Sequence, residues 1–239
     1  MTTREEIEAI VIKDRSTGSI PDLSGLDLSG LDLSGIDLKE ANLSGSDLSG
    51  SDLTQANLTM SRLDGANLSL ANLSQANFLN ASLRDVNISG AVCRETQLKE
   101  ANLSGMDLSG MDFSGANLNG AKFNRSNLSD AILDNAILQN AVFVETIMDR
   151  ASMNDAYMSK VYIRQSSMKR TRLSRATVHA AYIKNTDMDD AVMGRAKMNG
   201  SILRGVKMRR VNLDDVDLDD VEDDEPSRLS LIKSRRKGE

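Results

Sequence analysis

Residues 41–60, "ANLSGSDLSGSDLTQANLTM", divide into four blocks of five. The third position of each block is leucine: Leu43, Leu48, Leu53 and Leu58. Two residues earlier stands a small residue, Ala41, Ser46, Ser51 or Ala56, and between the two stands Asn or Asp. A period of five matches no helical repeat. Residues two apart on an extended segment point the same way, and the residue between them points away. The small residue and the leucine therefore share an inner side, and Asn or Asp faces out. The last two positions of each block must turn the chain.

Followed outward from this stretch, the register runs from 21 to 220 without an insertion. Forty consecutive central positions, Leu23 to Leu218, hold Leu, Ile, Val, Met or Phe, apart from Cys93. All four Phe are centres, and all three Tyr stand immediately before a centre. Thirteen of the sixteen glycines occupy the fifth position, where positive φ suits a tight corner. Three extended residues and a corner, repeated, coil the chain around an apolar axis. Four corners close a square, which makes about twenty residues per coil and about ten coils. An axis filled by Leu, Met and Ala is expected to leave no cavity.

These blocks resemble the pentapeptide-repeat family, which is defined by A-(D/N)-L-x-x units. "ANLSG" (41–45 and 101–105), "ANLTM" (56–60) and "ANLSL" (66–70) match that unit in full, and the resemblance covers 21–220. It implies an all-β fold, a right-handed quadrilateral β-helix, with stacked coils forming a rod of about 45 Å. Such a solenoid needs covers at both ends. Residues 1–20 are expected to form an N-terminal cap. Within them "TREEIEAIVIK" (3–13) predicts a short helix with a Thr3/Glu6 capping box, laying Ile7, Ile10 and Val11 on the first coil. Residues 221–239 leave the register as an acidic then basic tail or cap. There Pro226 ends the strand pattern and Ser227 starts a helix carrying Leu229 and Ile232.

Composition limits what such a rod does. No run approaches the roughly 18 apolar residues of a membrane helix, so no membrane span is expected. "MTTREEIEAI" lacks the shape of a secretory signal, and a single cysteine suits a reducing compartment, so the expected location is cytoplasmic. The only histidine, His179, falls in a turn and is expected to be solvated. Cys93 replaces an inner leucine and reads as a buried structural thiol. "DVDLDD" (215–220) has the alternating acids of a calcium loop but lacks its glycine at the sixth position and its glutamate at the twelfth. No catalytic, cofactor-binding or metal-binding residues are expected, and the chain is read as not an enzyme.

Function is then expected on the outer faces. Residues 21–145 carry net charge −9, 146–210 carry +9, and 211–225 hold nine acids and no base. In "AILDNAILQNAVFVETIMDR" (131–150) the outward position turns apolar: Ile132, Ile137, Val142 and Ile147. These four occupy one full circuit and ring the rod. With twenty residues per coil, Val142, Tyr162, Tyr182 and Ile202 stack in one column, with Val144, Arg164, Lys184 and Arg204 beside them. Ile137 and Tyr157 stack on the next face. Apolar groups mixed with Tyr and Arg mark an interface for a protein partner or a homo-oligomer. Outward β-branched residues also favour strand pairing, which is the competing explanation. Family members that bind DNA gyrase or topoisomerase IV, protecting it from quinolones by imitating DNA, imply a second reading as a topoisomerase binder. The acidic blocks 21–145 suit that reading and the basic band opposes it. Direct nucleic-acid binding by the basic band ranks third.

Overall fold

The computed structural model describes residues 3–224. Its smallest unit is the corner. At every fifth position from 25 to 220 the backbone is left-handed, with thirteen glycines and twenty-seven other residues sharing φ values between 50° and 76°. Glycine takes this conformation freely, whereas other residues resist it by roughly 1–2 kcal/mol. Most corners are closed by the first amide of the next block: Ala41 N donates to Leu38 O at 3.0 Å, and Ser46 N to Leu43 O at 3.1 Å. The outward carboxylate or amide adds a side-chain lock. Asp27 Oδ1 accepts from the amide and the hydroxyl of Ser29, at 3.1 and 2.6 Å. Local bonding of this kind is why Asp and Asn suit chain turns.

Between corners the chain stays extended just long enough to bond its neighbours. Leu43 N donates to Arg62 O at 2.7 Å, Gly45 N to Asp64 O at 3.0 Å, and Asn42 N to Pro21 O at 2.8 Å. Parallel bridges join residues twenty apart, from Asp22 with Asn42 to Lys197 with Asp217. One circuit therefore takes four blocks, and each residue type forms a column down one side. Inside, the centres are buried from Leu23 to Leu203, with Met208 and Leu213 half-buried near the end, and most inner positions are small because two side chains from every side must share the axis. Phe123 and Phe143 stack there with ring centroids 4.9 Å apart and planes 2° from parallel.

On one side the single bridges lengthen into strands, where β-branched and aromatic residues gather. These are β1 (Val142–Val144), β2 (Tyr162–Arg164), β3 (Tyr182–Lys184), β4 (Ile202–Arg204) and β5 (Glu222–Asp223). They form one parallel sheet in that order.

Helix α1 (Arg4–Ser16) packs on the first coil. Thr3 Oγ1 accepts from Glu6 N at 3.3 Å and Glu6 Oε2 from Thr3 N at 2.9 Å, a reciprocal cap. Ile7 and Val11 are buried and Ile10 is half-buried against the core. Arg15 Nη1 bonds Asp37 Oδ2 at 2.8 Å and ties the helix end to the coil. The helix expected after Ser227 lies outside the described residues.

The regular stacking of coils is interrupted at one seam, which opens to the surface while the centres beside it, Phe78, Leu83, Leu98 and Leu103, stay buried. Bridges between Ser82 and Asn102 and between Asn87 and Asp107 are absent, while Asn77, Gln97 and Asn117 stay joined and so do Val92 and Asp112. Successive coils place Ser46, Ala66, Val86, Met106 and Ser126 at one inner column. Val86 and Met106 are neighbours in a column otherwise held here by small residues, and their bulk props the coils apart. Around the corner, Ala81 and Ala101 are too small to fill the gap. A surface cleft of about 570 Å³ results, with Phe78, Ala81, Leu83, Ala101 and Met106 on its apolar side and polar and charged residues such as Asn80, Ser82, Asn102 and Ser104 making up most of its lining.

Candidate interaction face

The register that stacks the coils also assembles the outward columns. Val142, Tyr162, Tyr182 and Ile202 are direct partners across β1 to β4, and so are Val144, Arg164, Lys184 and Arg204. The rings of Tyr162 and Tyr182 stack with centroids 5.3 Å apart and planes 5° from parallel. Ile137 and Tyr157 form a bridge on the adjoining side.

Burial divides these residues into two groups. Ile132, Ile137, Ile147, Tyr157 and Tyr162 are exposed, Tyr157 by 51% and Ile147 by 46%. Val142, Tyr182 and Ile202 are half-buried. Each is flanked above and below by large side chains of the same column, and such neighbours cover one another. The ring itself is not one patch. Ile132, Ile137, Val142 and Ile147 fall on successive sides of the square, so one flat partner reaches only part of it. The contiguous surface is made by Ile137 and Tyr157 with Val142, Tyr162, Tyr182 and Ile202.

Beside this surface the basic column is only partly neutralised. Arg204 Nη2 lies 3.1 Å from Glu222 Oε2. Arg164 and Lys184 form no ion pair among the described residues. Arg164 Nε is buried without a hydrogen-bond partner, as is Asn124 Oδ1, and both residues line a hollow of about 440 Å³ below β2. Elsewhere in the band several cations are matched across coils, whereas Lys160, Arg170, Arg172 and Lys197 form no ion pair among the described residues. Arg150 binds Asp130 at 2.5 Å, Arg175 binds Asp155 at 2.6 Å, and Arg210 binds Asp190 at 2.6 Å. The guanidinium beside each holds the carboxyls of Asp130, Asp155 and Asp190 below the usual range.

Exposed apolar residues that the sequence reading missed are Ile12, Ile20, Met60, Leu70, Leu79, Val92 and Val192. Met60 and Leu70 stand at corners where glycine is common, and that substitution is the signal that marks them. Cys93 is buried, and desolvation pushes its thiol up to about 12, with Asp112 adding to the shift. His179 is exposed, with Nδ1 2.8 Å from Asn199 O. No group of three or more His, Cys, Asp or Glu among the described residues is placed to hold a metal ion. No described helix is long and apolar enough to cross a membrane.

Comparison with known proteins places this geometry. The family pattern described as pentapeptide repeats matches eight copies, over residues 22–59, 51–90, 91–130, 126–165 and 186–221. No curated protein matches the sequence. Among solved structures, the chain is similar to HetL, a pentapeptide repeat protein involved in heterocyst differentiation regulation from the cyanobacterium Nostoc sp. strain PCC 7120. That likeness has 23% identity and a TM-score of 0.68, and covers 91% of this chain and 95% of HetL. A trypsin-treated variant of QnrB1, a plasmid-mediated fluoroquinolone resistance protein, is 16% identical over 84% of this chain and 97% of its own, with a TM-score of 0.49. With its blocks in a single register and its matches reaching from 22 to 221, the chain belongs to the pentapeptide-repeat family and folds as that family's right-handed quadrilateral β-helix.

Proposed function

We propose that this chain is a non-catalytic, rigid β-helical scaffold that binds another protein, or a second copy of itself, through the apolar and basic face within 132–204. The observation that supports it is the stacked, part-exposed pair Tyr162 and Tyr182 beside two unneutralised cations, Arg164 and Lys184. Tyr and Arg dominate the energetic centres of interfaces because they combine apolar area with polar anchoring. Like charges on adjacent strands destabilise the rod itself, so a column of them is better explained by an acidic surface that meets it. The expected site residues are Ile137, Tyr157, Val142, Tyr162, Tyr182, Ile202, Arg164, Lys184 and Arg204, with Ile132 and Ile147 at the edges.

Sedimentation velocity at low and high salt, on the wild type and an Arg164→Ser, Lys184→Ser variant, tests the second-copy arm. Association that weakens with salt and drops at least tenfold in the variant supports it. Association insensitive to both removes the basic column from the reading. The acidic blocks 21–145, net −9, favour a second reading as a DNA-mimicking topoisomerase binder. Gyrase supercoiling assays with and without a quinolone decide that one: neither inhibition nor protection at micromolar protein ends it.

A further inference from the structure

The seam around Val86 and Met106 holds a backbone ladder with no partner. On its lower lip, the amides of Leu83, Asp85, Ile88 and Gly90 and the carbonyls of Ala81 and Val86 make no backbone hydrogen bond to the next coil. Their equivalents one coil earlier are paired: Leu63 N donates to Ser82 O at 2.9 Å, Gly65 N to Arg84 O at 2.8 Å, and Leu68 N to Asn87 O at 2.7 Å. On the upper lip the amides of Asn102 and Asp107 and the carbonyls of Asn102, Ser104 and Asp107 are likewise free of backbone partners. One coil later the pattern resumes, with Lys122 N donating to Ala101 O at 2.9 Å and Asn127 N to Met106 O at 3.0 Å.

Each lip is made of short extended runs joined by left-handed corners, at Asp85 below (φ 54°) and Gly105 above (φ 76°), and the free donors and acceptors of one such run are complemented by the backbone of another extended chain, the mode in which a peptide adds a strand to an open sheet edge. The walls of the cleft suit such an occupant. Phe78, Leu83 and Met106 supply apolar surface, and the half-buried Ala81 and Ala101 leave room for a side chain between them. On the rim Arg84 and Lys99 are balanced by Asp85 and Glu100, so nothing there selects a charged segment. By the twenty-residue register Ser82 and Asn102 stand in the column of Val142 and Tyr162, and the cleft opens on the side that carries the apolar face.

We infer that the seam is a peptide-binding cleft. It takes a short, extended, uncharged segment of another protein by strand addition along 81–83 and 101–104, with an aliphatic side chain seated between Ala81 and Ala101. This rests on the unpaired backbone and stands apart from the proposed interface at 132–204. The probe is a synthetic peptide, acetyl-Ser-Ala-Asn-Leu-Ser-Gly-amide, which carries the alternation the coils themselves use. Residue-resolved hydrogen exchange is measured on the full chain, free and with millimolar peptide. In the free protein the amides of Leu83, Asp85, Ile88, Gly90, Asn102 and Asp107 are expected to exchange at least tenfold faster than those of Leu63 and Leu68. Peptide is expected to slow those of Leu83, Asp85 and Asn102 at least tenfold and to leave Ile88, Gly90 and Asp107, beyond the corner, unchanged. The same peptide N-methylated on alternate backbone nitrogens is expected to protect nothing, and Ala101→Leu, which fills the cleft, is expected to abolish the protection. A Tyr162→Asn, Tyr182→Asn variant is expected to keep it, which separates this site from the other. Slow exchange at the lips of the free protein, no slowing with peptide, or equal protection by the N-methylated peptide would each overturn the inference.

Discussion

At Gly30 a Cβ would meet no atom within 4 Å, yet the residue sits at φ 64°. The glycine is there for its backbone and not for space. Gly30→Val is therefore expected to lower stability by about 1–2 kcal/mol, because a β-branched residue resists the left-handed region most. Gly30→Asn should cost clearly less, since Asn tolerates that region and already holds it at Asn135 and Asn140, at φ 60° and 59°. Urea denaturation of the two variants checks this, and equal losses would mean that the corner is not governed by backbone conformation. The glycines made the corners legible in the sequence. The twenty-seven other corner residues announced nothing individually. Lys160 or Arg170 is an ordinary solvated side chain in composition, and only the period of five shows that its backbone is left-handed.

At the scale of one side of the coil, Asp and Ser act as a pair. The hydroxyl of Ser29 and then its amide hold the carboxyl of Asp27 below the ordinary value of 3.8, and Asp22, Asp32 and Asp107 are held the same way by Ser24, Ser34 and Ser109. At Asp47 the amide of Ser49 leads. A carboxylate whose folded pKa is depressed contributes stability that is full above its unfolded value and is lost as pH falls through the folded one. The melting temperature is expected to stay nearly level from pH 7 to about 5 and to fall below about 4. An Asp27→Asn, Asp32→Asn, Asp47→Asn variant should fall less steeply, and an identical acid slope would refute the role of these turns. The seam escaped the sequence reading for a related reason. Val86 and Met106 satisfy the rule that the inner position is small or apolar, so each block reads as regular. The conflict arises only between blocks twenty residues apart, where the two bulky residues meet in one column.

Across the whole rod, charge is sorted by the same register. The band 146–210 was legible as basic, but which of its cations stay free depends on what stands one coil away. Arg150, Arg175 and Arg210 find Asp130, Asp155 and Asp190, whereas Arg164 finds Val144 and Lys184. The column of Tyr162 and Tyr182 could be placed from spacing alone, but its half-burial could not, because ring stacking is decided by side-chain packing. That the face binds is the central claim, and a variant carrying Ile132→Asn, Ile137→Asn, Tyr162→Asn and Tyr182→Asn tests it most directly. Asn already occupies the equivalent outward sites Asn42, Asn57, Asn67 and Asn72, so the fold should survive with a loss of about 1 kcal/mol from the broken ring stack. Each apolar side chain of that size contributes roughly 1.5–3 kcal/mol when fully buried at an interface, so removing several should dominate the association energy. The measurement is sedimentation, with quantitative capture of the partner, on wild type and variant at matched concentration and after melting curves confirm both are folded. A fall in association of at least tenfold is the predicted result; unchanged association by a folded variant would contradict the account.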